Sequence, residues 1–454
     1  MAMQTLGLGS DTGLTMDTVD KLKAVDTKTI ISPIDKNIDT SKSKSEALSG
    51  VITLLNDFKS TSKSLSDDML YLNRTGYVSA EGINVTIDKG AQIQSMSIEI
   101  SQLAETEVIQ SDTFKSRTDK VSSGDGTFDI EINGTNHSFN VTSLTTLEEL
   151  VQMINDKSDL DATAKIINTG TDEYRFVLSG KKTGVENQIS VTESENLKTN
   201  LSSKENRIQE AKDSKFSYNG VGITRSSNTI SDLVIGVTLG LDQVTDNPIQ
   251  IDIKEDVGSV IVELEKFVQS YNNIVTTLDE LTNFDESTDE AGVFQGNSDI
   301  RTVRREINKI LLSMDSENRS IVDFGMVINE IGTMDFSSDD FIKKYDESPT
   351  NVQTFFQGQN VTSRGVTSHK DGLFYDLENS LDRYVGNNSL LENLNNSLTR
   401  QEERLNSERE KAVASLDKRY ERMAKEFAQQ DAIISQIEQQ FKSIQMQIDM
   451  QNNN

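Results

Sequence analysis

Few side chains in this sequence are of kinds that do chemistry, and their spacing argues against most of it. The SGKKTG run at 179–184 has part of a phosphate-cradling loop. The first glycine of that motif falls on Arg175, and Lys181 is followed by Lys182 where a Ser or Thr should hold magnesium. With cradle and ligand both missing, the run reads as a turn between strands. Asp285, Ser287 and Asp289 have the oxygen spacing of a calcium loop. The sixth position, which needs glycine, is Glu290, and the twelfth, which needs a bidentate glutamate, is Gly296, so a solvated acidic turn fits better. Gly7, Gly9 and Gly13 follow no strand and precede no phosphate-binding lysine, and read as flexible chain. His137 and His369 are the only histidines. Two cannot make a His₃ metal site, and both read as surface residues and not as parts of a nucleophilic triad. Cysteine is absent, which excludes disulfides, thiolate zinc, iron–sulfur clusters and cysteine nucleophiles. Carboxylates are numerous, but no pair is singled out for acid/base work. No catalytic, cofactor-binding or metal residue is therefore assigned.

The elements that would position a site point to assembly. The 454 residues carry 45 basic and 73 acidic side chains, a net charge of −28 that repels phosphate and argues against nucleic acid. The length suits two to four domains, and a hydrophobic content of 34% suits small cores and extended helices. No apolar run approaches the length of a membrane span. The first residues lack the basic start and apolar stretch of a secretory signal. Only Pro33, Pro248 and Pro349 could interrupt long helices.

The strongest pattern is at the C-terminal end. Val413, Leu416, Tyr420, Met423, Phe427, Ile434, Ile437, Phe441, Ile444 and Ile448 follow three–four spacing, broken only at Gln430. This heptad seam predicts a coiled coil. Leu391, Leu398 and Leu405 precede it at seven-residue spacing, and the eight-residue step to Val413 slips the register. From 399 to 454 the chain has nine basic and ten acidic residues, so copies of this segment can approach one another. Residues 428–451 include eight glutamines around a narrow apolar stripe, which favours contact with partner chains. Near the other end, Leu48, Val51, Leu55, Phe58, Leu65, Met69 and Leu72 repeat the spacing, with Ser62 as the polar step, and predict a helix ending near 73–76. The polar stretch 27–45, with Pro33, is expected to be poorly ordered in isolation.

Between the ends the period becomes two. Ile83, Val85 and Ile87, then Met96, Ile98 and Ile100, read as strands. Residues 127–141 read as a hairpin turning at Asn133–Gly134, because both residues tolerate positive φ. Residues 145–156 form a short amphipathic helix, and strands follow near 162–167 and 174–179. The stretch 216–241 is strand-like, while 258–281 and 300–314 return to helical spacing. The fold class is α+β, with terminal helices paired as a coiled-coil-like stalk and two β-rich head domains inserted between them. The boundaries are 1–45 for a flexible leg segment, 46–76 for a stalk helix, 77–111 with 206–255 for a first head domain, and 112–205 for an inserted second one. A helical stalk domain spans 256–414, and a coiled-coil leg segment 415–454.

Several fragments resemble one family, the flagellar filament cap proteins, also called flagellar hook-associated protein 2. They are Leu8–Gly9–Ser10 with the 18–25 segment TVDKLKAV, SIEISQLA at 97–104, and TFDIEING at 127–134. Ile154–Asn155 is similar to the Ile–Asn pair of a small repeat shared with flagellins. FSYNG at 216–220, RSSN at 225–228, GVTL at 236–239 and FVQSYN at 267–272 follow in the family's order. The resemblance implies a non-enzymatic cap at the flagellar tip, without cofactors, in which exported flagellin folds and docks and from which it is not lost. It implies export through the flagellar type III apparatus without a cleaved signal peptide. The implied partners are further copies in a ring-like homo-oligomer, flagellin, the hook–filament junction protein and a cytoplasmic export chaperone, with no membrane insertion. Val413, Leu416, Tyr420, Met423, Phe427, Ile433, Ile434, Ile437, Phe441, Ile444 and Ile448 are the expected leg contacts. An adhesin with receptor-binding head domains is the alternative.

Overall fold

The protein is described by a computed structural model that covers residues 16–285, 290–363 and 366–452. The glycines at 7, 9 and 13 and the centre of the acidic 285–289 turn lie outside the described residues. In chain order the elements begin with helices α1 (Met16–Ser66) and α2 (Asp68–Tyr71). Strands β1 (Arg74–Val78), β2 (Ile83–Ile87), β3 (Gln94–Gln102), β4 (Val108–Gln110), β5 (Gly126–Ile132) and β6 (Thr135–Val141) follow. After α3 (Leu147–Asn155) come β7 (Ala162–Gly170), β8 (Glu173–Gly180), β9 (Ser190–Glu193), β10 (Arg207–Gln209), β11 (Ser214–Tyr218), β12 (Val221–Arg225), β13 (Thr229–Val234), β14 (Val237–Leu241) and β15 (Ile249–Glu255). The rest is mainly helical: α4 (Val257–Thr282), α5 (Ser298–Leu311), α6 (Ser338–Glu347), α7 (Pro349–Gln357), α8 (Leu373–Val385) and α9 (Leu390–Asn452). The chain is thus α+β, and it divides into a unit of residues 68–259 and a unit built from the residues up to 67 and from 260 onward.

The 68–259 unit holds two hydrophobic clusters. In the first, a five-stranded antiparallel sheet, β1-β15-β3-β11-β12, and a three-stranded one, β13-β14-β2, enclose Met96, Ile98, Ile100, Leu239, Ile251 and Ile253. In the second, sheets β10-β4-β8-β7 and β6-β5-β9 with α3 enclose Phe128, Ile130, Leu150, Ile154, Phe176 and Leu178. The β5–β6 turn is the two-residue Asn133–Gly134, with φ of 49° and 72°, and its register pairs Phe128 with Phe139. Thr146 caps α3 by accepting from the Glu149 amide, while the Glu149 carboxylate accepts from the Thr146 amide. Asn155 clamps the neighbouring strand: its amide donates to Ala164 O (2.8 Å) and its oxygen accepts from Ala164 N (2.9 Å). The Ile–Asn pair therefore sends one side chain into the core and uses the other to satisfy a strand edge. His137 is buried on β6, 3.8 Å from the Asp159 carboxylate, and not on the surface, because its position shares the inward face with Phe139 and Val141. For His369 only the backbone, on a strand paired with 358–363, is described.

In the other unit, Leu48, Val51, Leu55, Phe58 and Leu65 of α1 are buried. Rings link this helix inward: Phe58 stacks on Phe267 at 4.8 Å, Phe267 meets Phe374 edge-on at 4.8 Å, and Phe374 meets Phe356 at 4.8 Å. Tyr271 donates to Asn308 Oδ1 (2.9 Å) and Gly332 O (3.0 Å), which ties α4 to α5 and to the hairpin turn at 329–333. Two expectations for α1 need correction. The described part of the helix begins at Met16, not at 46, and runs through Pro33, so residues 27–45 are helical in the whole chain where they pack against the terminal helix. It also ends at Ser66, so Met69 and Leu72 leave the seam and are exposed while Tyr71 is buried.

Candidate assembly surface

Helix α1 owes its first thirty residues to α9. A proline inside a helix removes one hydrogen bond and costs about 3 kcal/mol. Pro33 is exposed, and contacts with α9 on either side of it offset that cost. The two helices run antiparallel, as their contacts show. Ser45 Oγ donates to Asn395 Oδ1 (3.2 Å), Arg409 meets Asp35 (2.5 Å), Lys23 meets Asp417 (2.7 Å) and Arg419 meets Asp26 (2.9 Å). Tyr420 adds a hydroxyl donated to Asp26 at 2.8 Å. Burial, and then the Asp26 carboxylate on its hydroxyl, push the Tyr420 phenol up. Beneath these polar pairs lies a small core of Val19, Ile31, Leu416 and Tyr420, with Val413, Met423 and Phe427 packed at its edge.

The predicted seam therefore divides. Leu416 and Tyr420 are buried against α1 of the same chain, and Val413, Met423 and Phe427 are partly buried beside them. The sequence reading missed this cover because Lys23, Asp26 and Asp35 interrupt its apolar spacing. Farther along, Ile433, Ile437, Phe441, Ile444 and Ile448 are uncovered, from 47% exposed at Ile448 to 67% at Phe441. The side chain of Ile434 lies outside the described residues. Since Asp26 meets 419–420, Met16 falls near 430, and α9 continues past it for about 33 Å at about 1.5 Å per residue. Among the described residues nothing covers this stretch, whose apolar stripe is set among glutamines.

A profile of the flagellar hook-associated protein 2 C-terminus matches residues 211–439, half of the chain, and a profile of the same protein's N-terminus matches 13–107. The chain belongs to the flagellar hook-associated protein 2 family. The two profiles together take in both sides of the α1–α9 seam. A flagellar hook-associated protein 2 from Campylobacter jejuni subsp. jejuni serotype O:2 is 28% identical over 453 residues, covering 85% of this chain and 68% of the relative. One from Helicobacter pylori strain J99 is 34% identical over 249 residues, covering 53% of this chain and 36% of the relative. The chain thus spans about two thirds of the length of the first relative and about a third of the second. The crystal structure of the flagellar cap protein FliD D1-D2-D3 domains from Escherichia coli superposes with a TM-score of 0.58 at 20% identity, over 78% of this chain and 99% of that one. At that identity the match shows a shared fold.

Proposed function

We propose that the protein caps the tip of a bacterial flagellar filament as a ring-like homo-oligomer, promoting the folding and insertion of exported flagellin and preventing its loss. The observation that carries the reading is the uncovered apolar stripe of α9, in a chain whose family is flagellar. A stripe of five half-exposed side chains buries little area per contact, so it suits a leg that binds, releases and rebinds as subunits add. The covered half of the seam keeps the leg attached. The work of such a cap is positioning, and no catalytic residue is assigned. Flagellin, the hook–filament junction protein and a cytoplasmic chaperone are the proposed partners, and the flagellar type III apparatus the proposed route out. No observation favours the adhesin alternative over this reading. Deleting the gene in its native bacterium tests it. The expected result is flagellin in the medium with short filaments or none, reversed by the full chain. Filaments of normal length in the deletion strain would overturn it.

A further inference from the structure

The 68–259 unit contains two cores joined by two chain crossings, and domains joined in this way move relative to one another by default unless a substantial interface holds them. Here the crossings are tied together along their length. The outgoing and returning chains pair at Gln102↔Lys215, at Glu105↔Lys212 and at Val108↔Gln209, a ribbon that runs from the five-stranded sheet into the four-stranded one. Two charged pairs lie on it. The outer one joins Glu105 and Lys212 at 3.2 Å and is partly exposed. The inner one joins Glu107 and Arg207 at 2.5 Å, and the Glu107 side chain is 0% exposed. Glu107 also accepts from the Ala211 amide (3.0 Å), and its own carbonyl accepts from Gly180 N (2.9 Å). A buried carboxylate that loses its cation is strongly penalised, so this pair admits one arrangement of the ribbon.

The SGKKTG run completes the tie. It leaves β8, and Gly184 N donates to Glu105 O (3.2 Å) on the ribbon. Thr183 Oγ1 donates to Ser226 O (2.6 Å), and Val185 N donates to Asp213 Oδ1 (2.8 Å), both acceptors lying next to strands of the five-stranded sheet. Gly184 has φ of +98°, and a Cβ there would lie 2.4 Å from Ser226 Cβ and 2.7 Å from its backbone oxygen. The close approach needs glycine on both counts. We propose that Glu107–Arg207 and the 179–184 loop form a latch that fixes the inserted 112–205 segment against its parent sheets, so that residues 68–259 move as one rigid plate. Glu107 and Gly184 are positioning residues in this device, which stands whether or not the cap reading does.

The absence of cysteine makes the test direct. Asn136→Cys on the inserted segment and Val221→Cys on the parent sheet, both exposed, supply the only two thiols for spin labels in the full chain. Pulsed electron resonance then gives the distribution of distances between them. The expected result is one narrow distribution in the otherwise native chain, broadened about two-fold or more by Glu107→Ala and by Gly184→Val, with far-ultraviolet dichroism unchanged. Glu107→Gln, which keeps the acceptor for Ala211, should fall between. A broad distribution in the native chain overturns the latch, as does either folded variant with native width. If Glu107→Ala does not fold, Gly184→Val decides alone.

Discussion

Replacing Ile437, Phe441 and Ile444 by serine removes the middle of the bare stripe on α9 and touches nothing else in the described structure. Each of these side chains is about half exposed in the single chain, between 49% and 67%. Full burial of such a side chain is worth about 1.5–3 kcal/mol, so docking has roughly half of that left to gain, about 0.75–1.5 kcal/mol each. Three changes sum to about 2.3–4.5 kcal/mol, a factor of roughly 40 to 2,000 in the docking equilibrium. Serine is a poorer helix former than isoleucine only by tenths of a kcal/mol, so α9 stays helical. The purified variant should melt at nearly the wild-type temperature, because Leu391, Leu398, Phe58 and the ring cluster are untouched. Cells carrying it should release flagellin and bear short filaments, measured by electron microscopy beside flagellin in the culture medium. Leu416→Ser is the contrasting change. It opens the covered half of the seam, so it should weaken the α1–α9 pairing in the isolated chain as well. Normal filaments in the triple variant, with flagellin retained, would refute the assignment of the stripe as the docking face.

Asp26→Ala removes the partner of both Arg419 and Tyr420 and should cost about 1 kcal/mol, read as about five-fold faster hydrogen exchange in the first turns of α1. Asn155→Ala leaves the buried Ala164 amide and carbonyl without their clamp and should lower stability in urea by about 2 kcal/mol, with exchange accelerating along β7. Burial pushes the Tyr271 phenol up to about 12, against an ordinary value near 10. The unfolded chain then ionises first, so the stability from this group is full below pH ~10 and is lost as pH rises from there to about 12. Tyr271→Phe should be less stable than wild type in thermal melts at pH 8, and the gap should narrow at pH 11; a constant gap would contradict the assignment.

Local chemistry made much of the fold legible. Asn133–Gly134 announces its turn because both residues accept positive φ, and α3 announces itself through the amphipathic spacing of 145–156. Strand β3 alternates cleanly because one face of it is dry. What stayed hidden depends on partners far along the chain. The first half of α1 is polar and contains a proline. Its helicity comes from Arg409, Leu416 and Arg419, nearly four hundred residues away, and no window of sequence displays them together. The same distance concealed the division of the terminal seam: the three–four spacing runs evenly through Phe427 and Ile437, but α1 reaches only the first. His137 was misplaced because a histidine's type says nothing of which way its strand faces. The SGKKTG turn was legible as a turn, but its contacts with Ser226 and Asp213 depend on tertiary register alone.

The polar character of the α1–α9 pairing bears on its mechanics. Around the small Val19–Ile31 core the two helices are also held by charged groups at the surface: Lys23 with Asp417 and Asp26 with Arg419 over the core, and Asp35 with Arg409 just beyond it. Such pairs are worth at most about 1 kcal/mol each and are screened over about 8 Å at physiological ionic strength. A two-stranded rod is stiffer than either strand only while the strands cannot slide, and here part of the resistance to sliding is electrostatic. Bending rigidity along this stretch should therefore fall as salt rises, while the ring cluster above it, being apolar, keeps its grip. The ionic strength of the surroundings becomes a setting for compliance, softening the rod without unfolding its root.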